Sequence, residues 1–319
     1  MDTSASYHDE QGAHGRAVPY MVSVLLEDRR PLDPPAVMAA LAHRLGPCTP
    51  MPADAGSTIA REIITHMKPA GRDAIDGPDA PAVMAVSLEL PNAPDHVLPP
   101  GLLLLAHPHT DDFNSLRHAV SQTWDWPDAG AVVNRHTACV TLVVVAPPGL
   151  PRPALLEVAA GGVRALLDCL PVTAIHWLPA QRVIEPAPWR DAADNGAVLD
   201  AGAINVRLFH LEGGRPDETV MDTMGLAAFG LPDLQCHFVR LDPNAVGQLL
   251  YDYAAYVFHN GPVIGDGDSL QGVPARDGSA TRWVCRHEPS LINPTRAVLD
   301  LIPGDASPMF GTGTAPASS

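Results

Sequence analysis

The stretch from Thr219 to His259 constrains this chain more than any other. Gly225 and Gly230 bracket a short apolar turn. After Pro232-Asp233, the residues Leu234, Cys236 and Phe238 alternate with Gln235 and His237, which is the period of a half-buried strand. Leu241-Asp242-Pro243 comes next. Asp242 is a good N-cap, and Pro243 suits the first helical position, where a missing N–H costs nothing. Val246, Leu249, Leu250, Tyr253 and Val257 then recur at helical spacing, so that helix has one apolar face. Asn260-Gly261 stops it.

The same strand-then-proline pattern occurs twice upstream. Val18–Glu27 reads as a strand before Leu32-Asp33-Pro34, and the β-branched run His136–Ala146 precedes the helix opened by Pro151-Arg-Pro153. Gly161-Gly162 in that third helix implies close packing against a sheet. Ala82–Leu88, Gly101–Ala106, Ala174–Leu178, Ile204–Leu211, Trp283–His287 and Ala297–Ile302 are further strand candidates, and Thr110–Trp124 is a further helix. An α+β fold follows, with mixed or antiparallel sheets, helices packed on one face and two related layers. Residues 1–17 and 304–319 read as tails. Residues 18–190 read as an N-terminal α/β module and 191–303 as a C-terminal α+β module, with the polar, Pro-containing stretch Glu185–Gly202 as the linker between them.

Charge narrows the partners. The chain carries 36 acidic against 20 basic residues, a net charge of −16, and Lys68 is its one lysine. Such a surface repels phosphate backbones, so nucleic acid and anionic membranes are excluded as partners, and a basic protein suits it better. Self-association is a third reading. The longest apolar runs, Leu102–Ala106 and Val140–Pro147, are too short to span a bilayer. The five cysteines, Cys48, Cys139, Cys169, Cys236 and Cys285, are scattered, which fits reduced thiols in a cytoplasmic protein.

Two motifs could carry chemistry. His107-Pro-His109-Thr-Asp111-Asp112 follows an apolar strand and resembles the His-x-His-x-Asp-His signature of metallo-β-lactamase-like hydrolases. His107, His109 and Asp111 would hold a metal that makes hydroxide from bound water. The position of the last histidine is taken by Asp112, and Thr110 with Asp111 and Asp112 also reads as an ordinary helix start. Gly267-Asp268-Ser269-Leu270 matches the letters of a GDSL-type esterase motif, but no Asp-x-x-His follows it, and Asp266-Gly267-Asp268 reads as a turn. No P-loop, Gly-x-Ser-x-Gly or dinucleotide-binding glycine pattern is present, so no cofactor is expected. Cys236 falls on the apolar face of its strand as a core residue. Tyr251 and Tyr256 lie off the apolar face of the strong helix and are expected to form a contact surface. Asp222 and Asp233, which flank the glycine-bracketed turn, join them as expected binding residues.

Ala174-Ile-His-Trp177, Val183-Ile-Glu-Pro186, Asn205-Val-Arg-Leu-Phe209, Thr223-Met-Gly-Leu226 and Phe229-Gly-Leu-Pro-Asp-Leu234 together resemble a bacterial family, the domain of unknown function four-two-six-one. The resemblance extends over roughly residues 100–303. It implies no catalytic residue. It does imply a bacterial cytoplasmic protein and a partner-binding role, since some members are similar to proteins encoded near type VI secretion or toxin–immunity genes. The leading expectation is a non-enzymatic accessory or immunity-type binding protein. The alternative is a metal-dependent hydrolase using His107, His109 and Asp111.

Overall fold

The structure, a computed structural model, describes residues 19–67, 81–89, 100–108, 113–147, 149–211, 214–215, 217–274, 279 and 281–308. The fold is α+β, in two compact units: residues 1–111 with 133–173, and residues 112–132 with 174–319.

The first unit contains β1 (Tyr20–Leu26), α1 (Pro34–Leu45), β2 (Cys48–Pro50), α2 (Ala53–Met67), β3 (Ala82–Leu88), β4 (Gly101–Pro108), β5 (Ala138–Val145) and α5 (Arg152–Cys169). Its strands run in the order β2-β3-β4-β5-β1, with antiparallel pairing wherever the register is fixed. The apolar run of β4 fits this position: Leu102, Leu103, Leu104 and Leu105 are all buried, because both faces of the strand are covered. α2 packs on Ala85, Leu103, Leu105 and Val143. α5 lies on the opposite face and explains its glycine pair. A Cβ on Gly162 would stand 2.5 Å from Leu142 of β5, and one on Gly161 would stand 2.2 Å from Leu45 of α1. The expected packing against a sheet therefore holds for Gly162, whereas Gly161 makes room for a helix.

The second unit contains α3 (Phe113–Ser121), α4 (Ala129–Val133, whose last residue belongs to the first unit), the hairpin β6 (Ala174–Trp177) with β7 (Arg182–Ile184), α6 (Pro186–Asp194), β8 (Asn205–His210), β9 (Glu218–Met224), β10 (Asp233–Val239), α7 (Pro243–Asn260), β11 (Ser269–Gln271), β12 (Arg282–Pro289) and β13 (Ala297–Ile302). The stretch Glu185–Gly202, expected to be a linker, instead folds into α6 and a π-helical turn at Leu199–Ala203. Trp189 is buried there, tilted against Trp177 at 6.0 Å between rings, so apolar packing overrides the proline and charge content.

The main sheet of this unit runs β11-β12-β13-β10-β9-β8. β10 pairs antiparallel with β9 and parallel with β13. α7 covers the face that carries Val206 and Met221. The start of α7 matches its sequence signature, since Asp242 Oδ1 accepts from the Asn244 N–H at 3.0 Å. The equivalent Asp33 at α1 makes no side-chain cap. Between β9 and β10 the bracketed turn is a 3-10 turn, Leu226–Phe229, with Gly225 at φ +129°. A Cβ on Gly225 would meet the Ala203 carbonyl oxygen at 2.1 Å, so both its backbone angle and its surroundings require glycine. Among the described residues no helix is long and apolar enough to cross a membrane.

Candidate functional site

The alternation in β10 predicts a strand with one wet face, but the structure buries both. Gln235 is fully buried, as are Leu234 and Cys236. The register shows why. Arg207, Asp222, Gln235, Asp300 and Arg286 are successive partners across β8, β9, β10, β13 and β12, so their side chains form one polar row on the face away from α7. The connection from β12 to β13, residues 290–296, folds back over this row.

At the centre of the row is a quartet of two arginines and two carboxylates. Arg207 donates to both oxygens of Asp222, Nε to Oδ1 at 2.9 Å and Nη2 to Oδ2 at 2.6 Å. Arg296 donates through Nη2 to Asp222 Oδ2 at 2.8 Å and through Nε to Asp233 Oδ2 at 2.9 Å. Asp233 Oδ1 accepts from the Leu226 N–H and the Thr223 hydroxyl. Arg207, Asp222 and Asp233 are inaccessible to solvent. Two positive and two negative groups balance formally, which is the condition for burying charge at tolerable energy. Burial pushes the Asp233 carboxyl above its ordinary value, and Arg296 pulls it back. Burial would lower the pKa of Arg296, but Asp233 and Asp222 together raise it, so the guanidinium stays charged. Arg207 also stacks over Phe209 at 5.0 Å.

Two positions along the row from Asp222 the balance fails. Asp300 is 7% exposed, and burial pushes its carboxyl up to about 7. Gln235, whose Nε2 donates to Asp300 Oδ1 at 3.2 Å, opposes the shift; Glu288 adds to it and Arg286 opposes it.

Asp222 and Asp233 are thus brought together, as the root of an internal network. Tyr251 and Tyr256 lie elsewhere, on α7. Arg182 donates to the Tyr251 hydroxyl at 3.4 Å, to the Asp125 carboxylate at 3.5 Å and to the carbonyl of Ile204 at 3.1 Å; its contact with the Asp200 carbonyl is shorter still. Burial raises the Asp200 carboxyl; Arg182 and His259 counter this and Asp252 adds to it, so these charged groups share one neighbourhood. Tyr256 is 49% and Trp124, next to Asp125, 55% exposed. No spacing in the sequence connects Arg182 with α7; only the folded chain does.

His107 is half-buried on β4, with Nε2 3.2 Å from both Thr141 Oγ1 and Cys139 Sγ. His109 and Asp111 lie outside the described residues. Among the described residues no group of three His, Cys, Asp or Glu side chains could hold a metal ion. The Asp266-Gly267-Asp268 turn is present: Asp268 accepts from the Gly265 N–H at 2.7 Å, and Ser269 opens β11. None of the five cysteines is in a disulfide.

The second unit is therefore a mixed-sheet α+β domain with a charged row buried on one face. Residues 222–302, from the central Asp222 to the end of β13, match the family model described as Domain of unknown function (DUF4261). The family resemblance read from the residues is thus shown over this segment, which supplies Asp222, Asp233, Arg296 and Asp300, while Arg207 lies upstream of it. Neither a curated protein nor a solved structure matches the chain significantly.

Proposed function

We propose that this chain is a non-enzymatic protein-binding protein of the bacterial cytoplasm, an accessory or immunity-type partner in a secretion or toxin system, which docks a basic protein on the outer side of α7. The secretion-linked part rests on the family resemblance alone. The surface around Arg182 supports the docking. Exposed Trp124 and Tyr256 offer large apolar area at little side-chain entropy. Asp125 follows Trp124 in the chain and pairs with Arg182, whose neighbourhood also holds Asp200, Asp252 and His259, so carboxylates outnumber the guanidinium among these groups. The net charge of −16 adds a long-range field that attracts a basic partner.

Affinity purification of the chain from its native organism, followed by mass spectrometry, tests the reading. A single stoichiometric basic partner is expected. With that partner in hand, Asp125→Asn combined with Asp252→Asn is expected to slow association about tenfold at low salt, and salt is expected to remove the difference. Association that neither high salt nor the double variant changes would exclude electrostatic docking here.

A further inference from the structure

We draw no further inference here: the strongest candidate, the side-chain cluster of Ser23, Thr141, His107 and Cys139 across β1, β5 and β4 of the first unit, is a single buried cysteine joined to its neighbours by contacts within the cluster, and among the described residues no second observation there points to a ligand or reagent.

Discussion

Asp222 accepts from two arginines on three hydrogen bonds, and its removal would leave both guanidinium groups in a dry site without their shared anion. Asp222→Ala is therefore expected to lose on the order of 3–5 kcal/mol in urea unfolding, the range for breaking a buried pair. Asp300 poses the opposite problem, a carboxyl whose burial Gln235 and Arg286 compensate only in part. In the folded chain it holds its proton up to about pH 7, whereas the unfolded chain releases it near 3.8. Its contribution is complete below about pH 4, drains away as pH rises towards 7, and is flat above. Asp300→Asn keeps the acceptor for Gln235 and removes the titration. The variant should match the parent below pH 4 and exceed it at pH 8 by on the order of a few kcal/mol. Equal gaps between variant and parent at both pH values would show that Asp300 is not the titrating group. The charges meeting at Asp222 could not be read from the sequence, because Arg207, Asp222, Asp233 and Arg296 follow no common spacing and meet only through the register of β8, β9 and β10 and the fold-back of the connection that carries Arg296.

At the scale of elements, local signals carried much of the information. Leu-Asp-Pro occurs before both α1 and α7, and the helix begins at the proline in each case. The caps themselves differ, and stability should expose this. Asp242→Ala should cost about 1 kcal/mol, while Asp33→Ala should cost a few tenths at most, because only Asp242 makes the cap bond. Near-equal losses in paired denaturation curves would refute that distinction. The Gly225 turn was legible as a turn, but the Ala203 oxygen that closes on it comes from 22 residues earlier in the chain. Gly225→Ala should therefore destabilise by about 2 kcal/mol or more, combining overpacking against a rigid backbone with left-handed strain. The prolines and charges of Glu185–Gly202 have the composition of a linker and mask what Trp189 and Leu199 contribute to the core.

For the whole molecule, composition spoke to charge and the alternation of strands and helices to fold class, but neither could order the strands. β10 is central because β13, about sixty residues later, pairs with it in parallel, and parallel neighbours leave no hairpin signature in sequence. The chain also leaves the first unit after β4, supplies 112–132 to the second and returns for β5. This distribution of parts sets an order of events during synthesis. Asp233 leaves the ribosome long before its partner Arg296, and β8, β9 and β10 exist for a time with Arg207 alone to balance two carboxylates. The unmatched carboxylate favours hydration of that early meander, so the second unit is expected to bury its charged row only once almost all of the sheet has been made. A ribosome-bound chain stalled before Arg296 should therefore be digested readily in its β8–β10 region, and one released beyond Ile302 should resist.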